Sequence, residues 1–138
     1  MEISPLQPAD FDAAIALWHE VGLTRPWNDP HADLQRALEG PASTVLAGRE
    51  QGRLLATVMV GHDGHRGWIY YLAVQPYERR RGHGRRMIGA CEEWVQERGL
   101  PKLNLMVRAG ENDDVLGFYA AIGYVADDVV VLGRRLAD

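Results

Sequence analysis

The sequence lacks the features that mark secreted and membrane-spanning proteins. Cys91 is the single cysteine among 138 residues, so no disulfide can form within the chain, and a reducing compartment fits this composition. No apolar run approaches 18 residues, and Met1 is not followed by a basic and then hydrophobic leader. We therefore expect a cytoplasmic protein that does not bind a membrane.

Positive charge is also scarce overall, but it is unevenly distributed. The formal net charge is −4 and the sequence pI is about 5.7, whereas nucleic-acid-binding domains usually carry a basic surplus. We therefore expect no nucleic-acid partner. Five arginines nevertheless fall within eight positions, which indicates a local anion-binding segment: Arg79, Arg80, Arg81, Arg85 and Arg86.

Composition and length fit one ordinary globular domain. Hydrophobic residues make up 46% and charged residues 25% of the chain, and 138 residues suffice for a hydrophobic core. Since no repeat, low-complexity tract or linker is present, residues 1–138 are predicted to form a single domain. His62 and His65 have no third ligand nearby in the sequence, so no metal site is expected.

The first third of the chain predicts a strand followed by two helices. Residues 2–6 favour a short edge strand. Asp10 is suited to cap a helix with apolar residues at helical spacing, which Gly22 ends. A proline-containing loop over 23–30 follows, and Asp29–Pro30 is typical of the start of a second helix.

The middle of the chain alternates as strands do, and the helical period then returns. Tight turns are expected at Gln51–Gly52 and Asp63–Gly64. The predicted strands are Thr44–Ala47, Arg53–Val60 and Trp68–Val74. A helix over Gly84–Arg98 is predicted next, because one apolar face recurs at helical spacing. This face consists of Met87, Ile88, Cys91, Trp94 and Val95.

The last third predicts a strand over Lys102–Val107, a helix that Asn112 caps, and a final pair of strands within Tyr124–Leu136. The resulting order is β-α-α-β-β-β-α-β-α-β-β. This order indicates an α+β fold with a mixed sheet flanked by helices.

The segment after the third predicted strand has the composition of a phosphate-binding loop. It lies between a strand and a helix, whose first amides have no intrahelical partner. Gly82 and Gly84 let the backbone curl around an anion, and the arginines add charge. A Gly-x-Gly is also common in simple turns, and an arginine run is often a solvated surface. Met87 replaces the third glycine of a dinucleotide-binding motif, and no Lys-Ser/Thr pair follows.

Two segments resemble the motifs of the GNAT acetyltransferase superfamily. Arg79-Arg-Arg-Gly82-His-Gly84 is similar to its acetyl-CoA motif, Q/R-x-x-G-x-G/A. The segment Asn112–Tyr124, with Phe118-Tyr119 and Gly123-Tyr124, is similar to its second motif. The resemblance covers nearly the whole chain. Three further segments resemble the YpeA-like bacterial acetyltransferases: Arg25-Pro-Trp-Asn-Asp-Pro30, Asp63-Gly-His-Arg-Gly67 and Tyr70-Tyr-Leu72.

This resemblance implies a GNAT fold whose strands splay apart where acetyl-CoA, the co-substrate, binds. The strand before the loop would bind the pantetheine arm through the backbone of Leu72, Ala73 and Val74. Asn112 matches a position that contacts the cofactor from the far side, and its alternative role is helix capping. The loop would bind the pyrophosphate with Arg79, Arg81, Gly82, His83, Gly84 and Arg85.

The resemblance also assigns Tyr119 as the general acid that protonates the departing thiolate. A phenol is neutral at ordinary pH and can donate a hydrogen bond, which suits this role. Packing in the core is the alternative. Many relatives carry a base on the strand before the loop, but this strand has no carboxylate here. Asp29, Asp63, His65 and a water chain remain the alternatives.

The acceptor is expected to be a primary amine, either a small molecule or the N-terminus of a protein or peptide. Trp27, Asn28 and Asp29 lie in the stiff loop between two prolines, so they are candidates for acceptor binding. Helix capping is the alternative for Asp29. A non-catalytic acyl-CoA-binding regulatory module is the alternative function. The oligomeric state stays open, with a homodimer among the alternatives.

Overall fold

The computed structural model describes residues 1–110 and 112–137. It contains two compact units, Met1–Met106 and Val107–Asp138. Within the described residues, the first unit contains the sheet and three α-helices, and the second contains one α-helix. That residues 1–138 form a single domain stays a prediction.

The first unit is built on a five-stranded mixed sheet in sequential order, β1-β2-β3-β4-β5. Neighbours are antiparallel from β1 to β4, and β5 runs parallel to β4. The strands are β1 (Glu2–Pro5), β2 (Ser43–Glu50), β3 (Arg53–His62), β4 (Gly67–Val74) and β5 (Leu103–Leu105). The predicted edge strand and both tight turns are confirmed, whereas β5 is shorter than the predicted Lys102–Val107.

Helices cover both faces of this sheet, which explains why β3 is buried on both faces rather than alternately. The helices are α1 (Phe11–Glu20), α2 (Pro30–Glu39) and α3 (His83–Glu97). On one face, α1 and α2 pack against Val45 and Ala47 in a core that includes the fully buried Trp18. On the other face, α3 approaches so closely that a Cβ at Gly67 would lie 2.5 Å from a Val95 methyl carbon.

Asp29 and Asp10 both hold the N-cap positions predicted for them, but only the Asp29 side chain caps its helix. Asp29 caps α2, because its side chain accepts hydrogen bonds from the backbone N–H groups of His31 (3.0 Å) and Ala32 (3.2 Å). Asp10 does not cap α1 with its side chain. Its carboxylate instead accepts from the Gln7 N–H at 2.9 Å and pairs with Arg49. Arg49 in β2 therefore holds the Asp10 carboxylate in an ion pair instead of leaving it to cap α1.

The apolar face predicted for α3 is confirmed except at one position. Met87, Ile88, Cys91 and Val95 are buried. Trp94 is only half-buried, because the helix turns its indole toward solvent, where the Arg98 guanidinium carbon lies 3.6 Å from the ring centroid. The Trp94 ring is therefore packed by this long cationic side chain and by the His62 ring of β3, whose centroid lies 5.9 Å away.

The second unit contains α4 (Asp113–Ala121), which ends before Gly123 at φ 96°. The predicted pair of strands within Tyr124–Leu136 is wrong: the described residues 124–137 carry no regular secondary structure. Val125 and Leu132 are 85% and 90% exposed. Valine-rich segments favour strands only where a neighbouring strand and a packed face are available, and this segment has no ladder partner in the described chain.

Candidate active site

The ladder between β4 and β5 ends early. It contains the pairs Gly67–Leu103, Trp68–Asn104 and Ile69–Leu105. β4 continues to Val74, and this last part pairs with β3 only among the residues described. One edge of Leu72–Val74 therefore offers backbone groups that no strand of the first unit occupies. An extended ligand can bind to such an edge as an added strand does.

A β-bulge lies where this ladder ends. Met59 pairs with Tyr70, and Thr57 pairs with Ala73, so two residues of β4 stand opposite one residue of β3. Tyr71 is one of the two, and its φ of 55° is in the left-handed region. Bulges of this kind bend a strand and redirect it. No local sequence pattern predicts this bulge, because a Tyr-Tyr pair favours an ordinary strand.

The start of α3 is the segment that was predicted to cradle a pyrophosphate. Gly82 is its N-cap residue in the left-handed conformation, at φ 77°, and forms no side-chain cap. The first intrahelical bond runs from the Arg86 N–H to the Gly82 carbonyl at 3.1 Å. The N–H groups of His83, Gly84 and Arg85 come before it and are the helix's first-turn donors. Apart from its chain neighbours, a Cβ built at Gly82 meets no atom within 4 Å, so the space beside this glycine is open.

The charges around the cradle favour an anion. The first turn of α3 contains no acidic residue. Arg79, Arg80 and Arg85 are exposed, and none of them forms an ion pair with another described residue. Arg80 is left-handed at φ 66° and follows the extended Arg79. Together with the helix dipole, these groups make the start of α3 a region of positive potential.

Glu78 connects the loop before α3 to the first residue of the helix. No sequence pattern identified it. Its carboxylate is buried and has three cationic or imidazole neighbours: Arg53 at 3.4 Å, Arg81 at 3.3 Å and His83 Nε2 at 3.2 Å. The His83 ring therefore points inward. Its Nδ1 is buried without a partner among the described residues.

The loop that was predicted to bind the acceptor is exposed. Trp27 is 52% exposed, and the Asn28 N–H donates to the Arg25 carbonyl at 3.0 Å. Asp29 caps α2, and the same helix carries Asp33, whose Oδ2 accepts a 2.7 Å hydrogen bond from the Tyr71 hydroxyl in β4. The loop is thus anchored at its C-terminal end to a helix that contacts the bulge.

Two of the candidate bases are occupied by structural contacts. Asp63 Oδ1 accepts from the N–H groups of Arg66 and His65, both at 2.8 Å, and these bonds lower the pKa of Asp63. A carboxylate stabilised in this way accepts a proton poorly. Asp29 is likewise committed to its cap. His62 Nδ1 accepts from the Gly64 N–H at 3.0 Å, within the same turn.

The second unit carries Asn112 and Tyr119. Asn112 precedes α4, but its side chain does not cap the helix; it donates to the Arg108 carbonyl at 2.7 Å. Asn112 therefore holds the predicted N-cap position of α4 without capping the helix through its side chain. Tyr119 is 9% exposed. Its ring packs edge-on against Phe118 at 5.0 Å and Tyr124 at 5.8 Å between centroids. This aromatic cluster gives the phenol a fixed orientation within the unit.

The described residues contain neither a metal-binding cluster nor a helix that could span a membrane. No group of three or more His, Cys, Asp or Glu side chains in that part of the chain is arranged to hold a metal ion. Across the same residues, every helix is too short or too polar to cross a bilayer.

Comparisons with known proteins agree on one family. A family model described as the Acetyltransferase (GNAT) family matches residues 12–124. An acetyltransferase of Yersinia enterocolitica is 43% identical over 136 residues, covering 99% of this chain and 96% of that protein. An acetyltransferase of Pectobacterium atrosepticum is 42% identical over 138 residues, covering 100% of this chain and 97% of that protein.

A solved structure shows the same fold at low sequence identity. The aminoglycoside acetyltransferase AAC(6')-Iy, in complex with the bisubstrate analogue CoA-S-monomethyl-acetylneamine, superposes with a TM-score of 0.82. The superposition covers 99% of this chain and 98% of that one at 16% identity. The α+β fold predicted from the sequence, with a mixed sheet flanked by helices, is confirmed.

Proposed function

Because this chain belongs to the acetyltransferase (GNAT) family, we propose that it transfers an acetyl group from acetyl-CoA to a primary amine. The start of α3 is the observation that carries the proposal. Its N-cap Gly82 is left-handed, the first-turn amides have no side-chain cap, and the space in front of Gly82 is open. A pyrophosphate fits such a helix start by both geometry and charge.

The residues of the first unit bind and orient the co-substrate. The first-turn amides of His83, Gly84 and Arg85 donate to the pyrophosphate oxygens, and the arginines at 79 and 81 add positive charge. Upstream, Leu72, Ala73 and Val74 bind the pantetheine arm along the unpaired edge of β4. This holds the thioester in one position, so that an incoming amine reacts in an effectively unimolecular step.

Two proton movements accompany the transfer. The neutral amine attacks the thioester carbonyl, a C–N bond forms and the C–S bond breaks. Tyr119 donates its phenolic proton to the departing thiolate. The amine loses one proton to a base. Since Asp63 is held by two backbone amides, His65 and a water chain are the stronger remaining alternatives.

The acceptor amine is a small molecule or the N-terminus of a peptide or protein. AAC(6')-Iy, whose structure is similar, is described as an aminoglycoside acetyltransferase, so amino sugars belong in the first set of candidates. Trp27, Asn28 and Asp29 form the proposed acceptor wall. A half-exposed indole can pack against a cation, and a carboxylate beside it attracts one.

A non-catalytic acyl-CoA-binding module is the second candidate function, favoured by the lack of a carboxylate in β4. One experiment separates the two. The purified protein is titrated with CoA in a calorimeter, and thiol release from acetyl-CoA is then followed over a panel of amino sugars, polyamines and peptides. Binding with amine-dependent thiol release supports the enzyme. Binding alone across the whole panel favours the module, and no binding refutes both.

A further inference from the structure

A chain of side-chain contacts in the first unit connects α1, α2, β3 and the bulge in β4. The Trp18 indole N–H donates to Thr57 Oγ1 at 2.8 Å, and the Thr57 hydroxyl donates to the Tyr71 carbonyl at 3.2 Å. The Tyr71 ring stacks on Trp18 at 3.9 Å between centroids and 12° between planes. Its hydroxyl donates to Asp33, which also pairs with Arg36.

These contacts fix a residue in a conformation it would otherwise avoid. A non-glycine residue at φ 55° is disfavoured, and an aromatic one especially so. Such conformations persist only where the surroundings impose them. Here both the backbone carbonyl and the side chain of Tyr71 are held. Thr57 is fully buried, and its hydroxyl both accepts from the Trp18 indole and donates to the Tyr71 carbonyl.

The position of the bulge gives the contacts a consequence for the ligand. The β4–β5 ladder ends at Ile69, two residues before Tyr71. The proposed pantetheine-binding residues Leu72–Val74 begin directly after it. The conformation at Tyr71 therefore determines the direction in which this last part of β4 runs, and thus which backbone groups face the gap.

We propose that Tyr71 is a positioning residue for acetyl-CoA: held by Trp18, Thr57 and Asp33, it keeps the bulge left-handed and so orients Leu72–Val74 toward the pantetheine arm. The inference rests on the proposed function. It assigns to Tyr71 no contact with the reacting atoms. Hydrophobic core packing is the rival explanation, under which only stability depends on Tyr71.

The decisive comparison is between Tyr71→Gly and Tyr71→Ala. Both variants remove the ring and its hydrogen bond, but glycine adopts the left-handed conformation readily and alanine does not. We expect Tyr71→Ala to bind CoA about tenfold more weakly than the parent, and Tyr71→Gly to recover at least about threefold of that loss. The probe is CoA alone, titrated in a calorimeter well below the melting temperature of each variant.

Milder substitutions cover the case in which removing the ring prevents folding. Tyr71→Phe keeps the stacking and loses only the bond to Asp33, and Thr57→Val removes the bond to the Tyr71 carbonyl. Each should weaken CoA binding about threefold, as the loss of one hydrogen bond allows. Tyr70→Phe is the matched control, because the Tyr70 phenol forms no hydrogen bond with another described residue; it should leave the CoA affinity unchanged.

The outcomes separate this inference from the function on which it rests. A parent protein that does not bind CoA refutes the proposed function and the inference together. A parent that binds CoA, with equal affinities for Tyr71→Gly and Tyr71→Ala, overturns the inference alone. If neither of these two variants folds, CoA affinities of Tyr71→Phe and Thr57→Val that match Tyr70→Phe also overturn it.

Discussion

Replacing Gly82 with leucine tests the cradle most directly, because the structure offers a control with the same backbone strain. Gly82 lies at φ 77° before α3, and Gly99 lies at φ 76° after it. A Cβ at either glycine meets no atom within 4 Å. The two sites are separated by the length of a 15-residue helix, roughly 22 Å at 1.5 Å per residue.

The magnitudes follow from these two facts. A side chain in the left-handed conformation costs about 1–2 kcal/mol of folding free energy, and the cost should be the same in Gly82→Leu and Gly99→Leu. For a chain of this size it corresponds to a fall in Tm of about 2–8 °C. Only at Gly82 would the new side chain stand in the space that the pyrophosphate needs. We expect at least tenfold weaker binding of CoA, about 1.4 kcal/mol.

Calorimetric titration with CoA and thermal melting of both variants give the test. The expected result is a similar loss of Tm in the two proteins, with the CoA affinity reduced in Gly82→Leu alone. If folded Gly82→Leu binds CoA as tightly as Gly99→Leu does, the first turn of α3 is not the phosphate site. Equal weakening in both would instead indicate a global effect of strain, and would also refute the assignment.

Three further predictions concern the acid, the acceptor loop and the single thiol. Tyr119→Phe should lower kcat by a factor on the order of 100 with little change in CoA affinity, whereas Tyr124→Phe, which removes a phenol from the same aromatic cluster, should not; equal kcat values in parent and Tyr119→Phe would return Tyr119 to the core. Trp27→Ala should raise the acceptor KM several-fold while CoA binding is retained. Trp27→Phe, which keeps an aromatic ring, should raise the acceptor KM less. Unchanged acceptor kinetics in Trp27→Ala would make the loop purely structural. Burial, with a smaller contribution from Glu92, raises the pKa of the Cys91 thiol to about 12. The folded protein should therefore resist thiol reagents at pH 8, and rapid labelling of the native protein would contradict this. Its unfolding free energy should also fall as the pH rises from about 9 toward 12, because the unfolded chain loses the thiol proton first.

The sequence predicted the parts of the fold that depend on local chemistry. Gly22, Gly64, Gly99 and Gly123 all have positive φ at the turns and helix ends where they were expected. The period of the apolar residues identified four helices, and the Gly-x-Gly segment identified the start of α3. These signals are read from neighbouring residues, because a left-handed turn or an apolar stripe is specified within a few positions.

The errors arose where a distant residue determined the outcome. Asp10 is a good cap by type, but Arg49 lies 39 positions away and draws its carboxylate into an ion pair. The valine-rich residues after Gly123 have strand propensity, which is insufficient without a partner strand. The bulge at Tyr71 depends on Thr57 and Trp18. None of these contacts has a local sequence pattern, so only the structure could identify them.

The proposed site explains why its side chains were only partly informative. A pyrophosphate at a helix start and a pantetheine arm along a strand edge are both bound by backbone groups. Under such recognition a residue contributes mainly through the conformation it permits, as Gly82 does, or through the conformation imposed on it, as with Tyr71. Glycine adopts the left-handed conformation with little conformational free energy and needs no surrounding contacts to hold it there. A tyrosine in the left-handed conformation needs the surrounding contacts to hold it there. We therefore expect substitutions of distant core residues to disturb the backbone at Tyr71 before they disturb the backbone at Gly82.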